Sequence, residues 1–104
     1  MIKQVFRVKK KEGMGFEEFK KYYLEHHAPL VVKTFPEMRK YVVNMVVQRG
    51  KPTPCDAVTE ICWDDLESLI KLAKSDVYNK VIRPDEEKFV SSMEVILTEE
   101  FIQK

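Results

Sequence analysis

Hydrophobic and polar residues alternate in four stretches of the chain, and longer stretches between them repeat their hydrophobic residues at helical spacing. Alternation with a period of two is typical of a strand, and apolar residues at i, i+3, i+4 and i+7 indicate an amphipathic helix. The predicted strands are Ile2–Lys9, Met38–Arg49, Ala57–Trp63 and Ser92–Leu97. The first predicted helix runs from about Gly15 to Thr34. The second begins at a capping Asp64 or Asp65, and a shorter helix within Ser75–Phe89 is predicted to be interrupted near Pro84.

The order of these elements, β-α-β-β-α-β, is the ferredoxin-like arrangement, an α+β fold. Its four-stranded antiparallel sheet carries both helices on one face, so the other face needs polar residues or a partner. Yet apolar residues occupy both faces of the second and third predicted strands: one face has Val42, Val46, Val58 and Cys62, and the other has Tyr41, Val43, Ile61 and Trp63. We therefore predict a homodimer that forms through the uncovered face.

Composition narrows the class of protein. The chain has 104 residues, 44% of them hydrophobic and 34% charged, which predicts one globular domain over residues 1–104. Lys+Arg 18 against Asp+Glu 17 leaves a net charge of only +1, and we predict no nucleic-acid partner. No stretch approaches the length of a membrane span. Neither a signal-peptide pattern nor a disulfide framework is evident, which favours a cytoplasmic protein with reduced cysteines.

His27 is the residue that most directly suggests chemistry. On a helical wheel of about 100° per residue it lies within an apolar stripe, and His26 lies at the edge of that stripe, close to Tyr22. Pro29 follows two residues later and lacks the backbone N–H that a helix interior needs, which predicts a kink. A titratable ring beside a kink is compatible with an acid–base site in a small pocket. The spacing alone favours the alternative, a core histidine bonded to a backbone carbonyl.

Tyr23 precedes His27 by four residues, so the two side chains are neighbours on the predicted helix. A histidine exchanges protons near neutral pH, and a tyrosine hydroxyl can orient a carbonyl or phenol oxygen. Together they meet the needs of isomerisation or dehydration without a cofactor, and we predict His27 and Tyr23 as catalytic residues. The alternative is a structural pair in the core. The predicted substrate contacts are His26, Tyr22, Trp63 and Tyr41, although Trp63 is also typical of a core residue.

Metal and haem sites are not predicted. His26 and His27 are adjacent, so on a helix they point roughly 100° apart and cannot chelate one ion. The chain has no third histidine, and none after His27 that could serve as an axial haem ligand. Cys62 lies within a strand, where a thiol is typically inert packing. We therefore predict no cofactor.

Several sequence blocks, in the same order along nearly the whole chain, resemble the EthD family. They are Tyr22-Tyr23, His26-His27-Ala28-Pro29-Leu30-Val31, Arg39 with Tyr41-Val42-Val43-Asn44, Cys55 to Glu60, Trp63-Asp64-Asp65-Leu66, Asp85 to Phe89, and Thr98-Glu99-Glu100. The family takes its name from a protein associated with bacterial degradation of ethyl tert-butyl ether. The resemblance implies a small homodimer of the dimeric α+β-barrel type. Relatives of this barrel include cofactor-independent isomerases, dehydratases of polyketide-like aromatics and monooxygenases.

The resemblance also bears on function and on site residues. It implies a protein of poorly defined activity, with proton transfer on a small hydrophobic or aromatic-derived metabolite as one interpretation. The alternative is a non-catalytic small-molecule binding or accessory protein of a catabolic pathway. The family's histidine directly precedes Ala-Pro, which here is His27, the residue that the helical wheel selects independently. One position departs from the family pattern, because Ser91 follows Phe89-Val90 where many members carry an acid.

Overall fold

The computed structural model describes residues 1–104 and has the predicted α+β, ferredoxin-like architecture. Its four strands form one antiparallel sheet in the order β2-β3-β1-β4. The strands are β1 (Ile2–Lys10), β2 (Lys40–Met45), β3 (Ala57–Trp63) and β4 (Val90–Glu99). Strands β1 and β3 are central, and residues that share one face of them, such as Val8 and Ala57, pack against Phe19 and Tyr23 of the first helical segment.

The helical segments connect the strands in two groups. The first group is α1 (Phe16–Tyr22), a π-helical turn (Tyr23–His27) and α2 (Ala28–Thr34). The second is α3 (Leu66–Ala73), a π-helical turn (Tyr78–Ile82) and α4 (Arg83–Glu86). Of the two predicted capping residues, Asp65 caps α3, and its carboxylate accepts a 2.8 Å hydrogen bond from the Ser68 backbone N–H.

Each π-helical turn ends two residues before a proline. The Ala28 N–H donates to the Tyr23 carbonyl and the Arg83 N–H donates to the Tyr78 carbonyl, both spanning five residues. The wider turn displaces the carbonyl that a proline ring would otherwise meet, so the chain stays helical through Pro29 and Pro84. The predicted interruption near Pro84 is therefore wrong. At Pro29, for which the sequence predicts a kink, the structure has a π-helical turn before the proline, and the segment stays helical to Thr34.

Two strands differ in length from their prediction because pairing partners set their ends. Strand β2 covers Lys40–Met45 rather than Met38–Arg49, since its register with β3 runs only from Lys40 opposite Cys62 to Met45 opposite Ala57. Strand β4 extends beyond Ser92–Leu97 because it pairs with β1 along most of its length.

The interior is divided rather than continuous. Three separate buried clusters consist of Val8, Phe19, Tyr23, Ala57 and Phe89, of Val31, Phe35 and Ile82, and of Ile61, Trp63 and Leu69. Cys55 and Cys62 are both buried and form no disulfide. No helix has the length and apolar character needed to cross a membrane.

The sheet face without helices is less apolar than predicted. Val42 and Val58 are half-buried, and Cys62 is buried. Charged residues share this face: Lys3 forms a 2.8 Å ion pair with Glu60, and it also pairs with Glu100. Exposed apolar residues also cluster on the edge strand β4 and on the segment that follows it, at Val95, Ile96, Leu97, Phe101 and Ile102.

Candidate active site

A cavity of about 250 Å³ lies between the sheet and the helical segments. Fourteen of its nineteen wall residues are hydrophobic, and all three buried clusters contribute to the wall. Four of the predicted site residues line it: Tyr23, His27, Tyr41 and Trp63. The other two, Tyr22 and His26, do not, because neighbouring residues on a helix point in different directions.

His27 is held at the cavity wall by a carboxylate. Its side chain is buried, and its Nδ1 lies 2.7 Å from Oδ2 of Asp85, which is also buried. The ring packs against Phe89 with 4.8 Å between ring centroids. The π-helical turn presents His27 toward α4, whose first turn contains Asp85. A tertiary hydrogen bond to a side chain, rather than to a backbone carbonyl, therefore orients the imidazole.

The electrostatics of the pair define which ring nitrogen is available. Burial would raise the pKa of Asp85, but hydrogen bonds from Tyr22 and His27 lower it overall, so the carboxylate is ionised at neutral pH. Nδ1 therefore carries the proton that it donates to Asp85. Burial lowers the pKa of His27 despite the opposing effect of Asp85, so the ring is neutral at pH 7. Nε2 has no hydrogen-bond partner in the chain and is not fully buried. It is therefore a neutral nitrogen base that a ligand in the cavity can contact.

Tyrosine hydroxyls supply donors around the same cavity. The hydroxyl of Tyr23 lies 2.5 Å from Oγ1 of Thr59 on β3, and both residues line the cavity. Burial raises the pKa of Tyr23 to about 12 and raises the pKa of Tyr41 further. Both hydroxyls are therefore protonated at neutral pH, which suits hydrogen bonding to a ligand oxygen. Trp63 is almost fully buried and donates its Nε1–H to Gln4 Oε1 at 2.9 Å, so its polar atom is already satisfied.

Tyr22 and His26 lie on the outer side of Asp85. The Tyr22 hydroxyl donates to Asp85 Oδ1 at 2.5 Å, and the Nδ1 of His26 lies 3.5 Å from the same oxygen. The Tyr22 and His26 rings stack with 4.7 Å between centroids, and the His26 side chain is 58% exposed. These two residues thus support the carboxylate that orients His27 instead of facing the cavity.

A second group of polar residues reaches the cavity from the other helical group. Glu86, Tyr78 and Arg83 all line it, and the Tyr78 hydroxyl donates to Glu86 Oε1 at 3.1 Å. The Arg83 guanidinium lies 5.6 Å from the centre of the Tyr78 ring. Burial is the main reason that the pKa of Glu86 rises to about 6.

Sequence reasoning did not select Asp85, Glu86, Tyr78 or Arg83 as site residues. A usable signal was present, because Asp85 lies three residues after Ile82 and four before Phe89, both of which are buried. A carboxylate on an apolar helical stripe requires a buried partner. The only histidine predicted to face inward, His27, was the obvious candidate. No group of three or more histidine, cysteine, aspartate or glutamate side chains is arranged to hold a metal ion.

The fold and the cavity define a class: a ferredoxin-like α+β protein whose helices and sheet enclose a small, mostly apolar site with a buried histidine. Within that class, a sequence model of the EthD domain matches residues 11–92. The chain therefore belongs to the EthD family, as the sequence blocks predicted. No curated protein sequence matches it.

Solved structures agree with this assignment. An EthD family protein from Bacillus halodurans C-125 is 25% identical, with a TM-score of 0.77, over 97% of this chain and 99% of that chain. An EthD-like protein from Ralstonia eutropha JMP134 is 19% identical, with a TM-score of 0.74, over 99% of this chain and 94% of that one. A dimeric protein of unknown function with a ferredoxin-like fold, from Bacteroides fragilis NCTC 9343, is 13% identical, with a TM-score of 0.69 and 94% of each chain covered.

Proposed function

We propose that this protein binds a small hydrophobic or aromatic-derived metabolite in its cavity and catalyses cofactor-free proton transfer, such as an isomerisation. His27 is the acid–base group, and Tyr23 assists by hydrogen bonding to a substrate oxygen. The observation that carries the proposal is the buried 2.7 Å contact between His27 Nδ1 and Asp85, which leaves Nε2 available at the cavity wall. An Asp-oriented neutral imidazole is suited to remove a proton from carbon.

The apolar wall supports the same reaction class. A hydrophobic cavity excludes water and strengthens the interaction of a substrate oxygen with protonated tyrosine hydroxyls. Removal of a proton next to a carbonyl places negative charge on that oxygen. Tyr23 and Tyr41 both line the cavity and supply hydroxyl donors for it.

The test is exchange of carbon-bound protons, which requires no knowledge of the natural substrate. A panel of aromatic ketones, lactones and keto acids, including acetophenone, is incubated with protein in deuterated water, and loss of α-proton signals is followed by NMR. We expect the wild type to accelerate exchange on at least one compound, and His27→Gln to slow it at least about 100-fold. Lys33→Gln, an exposed change on α2, is the control and retains the wild-type rate. Equal rates for His27→Gln and wild type would contradict the proposal.

A second candidate function is ligand binding without turnover. Three tyrosines line the cavity: Tyr23, Tyr41 and Tyr78. Their raised pKa values keep the hydroxyls protonated as hydrogen-bond donors. Such donors can bind a ligand oxygen without any catalysis, which favours this function. In that case a compound of the panel binds, as a ligand-dependent rise in melting temperature reports, yet none of its protons exchange. The pair of measurements separates the two functions.

We also propose that the protein acts as a homodimer. The Bacteroides fragilis neighbour is described as dimeric, and the exposed apolar residues of β4 provide a surface that a second copy could cover. The prediction of a cytoplasmic location is part of the same proposal, and the two unbridged cysteines are compatible with it.

A further inference from the structure

Glu86 lines the cavity with a carboxylate that takes no part in the hydrogen bond between His27 and Asp85. It lines the cavity from the end of the second helical group, whereas His27 lines it from the first group. No ion pair satisfies it, although Arg83 lies on the same helical segment, and its hydrogen-bond partner is the neutral hydroxyl of Tyr78. Burying a carboxylate without a charged partner costs folding free energy. A functional role for Glu86 would explain why the protein bears this cost.

Two adjacent carboxylates on α4 thus have opposite environments. Asp85 is buried, and the hydrogen bonds that it accepts from His27 and Tyr22 keep it ionised. Glu86 faces an apolar cavity that favours its neutral form. In known active sites, carboxylates whose environments separate them in this way take different roles, one as a fixed anion and the other as an acid.

We propose that Glu86 is the second acid–base group of the cavity, which holds and protonates a carbonyl oxygen of the substrate while His27 acts on carbon. The inference rests on the proposed function, and it names the substrate class as an enolisable aromatic or hydrophobic ketone. Its geometric support is that His27, Glu86 and the hydroxyls of Tyr23 and Tyr41 line one cavity.

The step balances without a cofactor. His27 Nε2 takes a proton from the carbon next to the carbonyl, and the C–H electron pair becomes the C=C bond of the enol. The carbonyl π electrons move to oxygen, which takes the proton of Glu86. His27 is then an imidazolium and Glu86 a carboxylate. In the reverse direction Glu86 regains the proton from oxygen, while His27 returns its proton to the same carbon or to a conjugated one, which shifts the double bond.

Burial and the neighbouring polar and charged groups together set the pH at which Glu86 can donate a proton. The groups that act on it or face it are Tyr78 and Arg83 on its own helical group, the flanking Asp85 and Glu87, Tyr23 of the first π-helical turn and Tyr41 of β2. Burial dominates and raises the pKa of Glu86 to about 6. The reactive combination, neutral His27 with protonated Glu86, therefore declines as pH rises through about 6.

The first experiment measures binding of acetophenone, a ketone that accepts hydrogen bonds, donates none and does not titrate. Its dissociation constant is measured by NMR from pH 5 to 8 for wild type, Glu86→Gln and Glu87→Gln, the last being an exposed matched control. We expect wild-type affinity to weaken about tenfold across a midpoint near 6, because the carbonyl oxygen then faces a carboxylate. Glu86→Gln abolishes this dependence, and Glu87→Gln retains it.

A second variant keeps the carboxylate in place. Tyr78→Phe removes the hydrogen bond that favours ionised Glu86, so the midpoint moves to higher pH. The exchange assay with acetophenone adds the catalytic readout. We expect the wild-type rate to fall above pH 6, and Glu86→Gln to lower the rate and lose that alkaline decline.

The outcomes separate the two proposals. If Glu86→Gln and wild type have superimposable pH profiles while His27→Gln abolishes exchange, the role of Glu86 is refuted and the proposed function stands. If acetophenone binds with the Glu86-dependent midpoint but no compound of the panel exchanges protons, the proposed function is refuted, and with it the catalytic part of the Glu86 assignment. If wild-type affinity does not vary from pH 5 to 8, Glu86 does not contact the carbonyl.

Discussion

Asp85 determines which ring nitrogen of His27 carries the proton, through a single buried hydrogen bond to Nδ1. Its carboxylate favours the protonated imidazole, whereas burial favours the neutral one, and burial is the stronger effect on the pKa of His27. The same carboxylate accepts the Tyr22 hydroxyl on its other oxygen. Because both oxygens of Asp85 are engaged, its removal affects the orientation and the titration of His27 together.

The replacement Asp85→Asn keeps the size of the side chain and removes its charge. We expect a loss of about 2 kcal/mol in unfolding free energy at pH 7, since a charge-assisted buried hydrogen bond is replaced by a neutral one. The pKa of His27 falls further, because the carboxylate that raises it is gone. A two-dimensional NMR titration of the imidazole nitrogens measures the pKa. The control is the exposed Asp76→Asn, and an unchanged His27 pKa in Asp85→Asn would contradict the prediction.

The same variant has a defined dependence of stability on pH. Because the folded pKa of His27 lies below its ordinary 6.5, the stability linked to this group is present above pH 6.5 and is lost as pH falls through the folded pKa. Lowering that pKa extends the loss to more acidic solution. Urea titrations at pH 7 and at pH 4.5 give the unfolding free energy of each protein at both values. The decrease in this free energy from pH 7 to pH 4.5 should be larger for Asp85→Asn than for wild type.

Sequence periodicity located one half of this pair and missed the other. The helical wheel predicted that His27 faces inward, and the structure buries it. The wheel cannot show that the partner is a carboxylate 58 residues away, since that contact depends on how two helical groups pack. Glu86 was missed for a related reason. Its neighbours Glu87 and Lys88 are exposed, and the run of charges is typical of a solvated helix face.

At the scale of elements, the strands were predicted better than the irregular parts of the helices. Strand β3 has the predicted bounds, Ala57–Trp63, and it pairs with β1 on one side and β2 on the other. A proline in a helical pattern predicts a break, but a π-helical turn before Pro29 and Pro84 avoids one. The hydrogen bond that spans five residues leaves no periodic signal in so short a segment.

The π-helical turns lead to a prediction about proline. Pro29→Ala should change the unfolding free energy by less than about 1 kcal/mol, since the wild-type turn already accommodates the ring and the main loss is restriction of the unfolded chain. Val32→Pro, three residues later in α2 at an exposed position, should cost about 3 kcal/mol, because it removes a helical hydrogen bond and clashes with the preceding turn. Chemical denaturation compares the two. Similar losses for both variants would show that the π-helical turn does not accommodate Pro29.

At the scale of the whole molecule, the helix-covered face of the sheet holds the cavity, and the edge strand β4 provides the proposed dimer surface. The helices cover one face, where three buried clusters surround the cavity rather than fill it. Strand β4 is an edge strand of ten residues, and its central Val95, Ile96 and Leu97 are about half exposed. A long apolar edge is prone to association unless a partner covers it. The cavity wall includes Met93 and Val95 of this strand, so association at β4 would also affect the cavity.

Ile96 offers the most direct test of the proposed dimer. It pairs with Val5 in the register of β4 and β1, its side chain lies on the face without helices, and the residue is 51% exposed. A charge at this position is tolerated in a monomer but is costly when buried against a second copy. We expect wild type to sediment as a dimer and Ile96→Glu to shift it toward the monomer. Val32→Glu, which introduces the same charge at a similarly exposed aliphatic residue of α2, should leave the dimer intact.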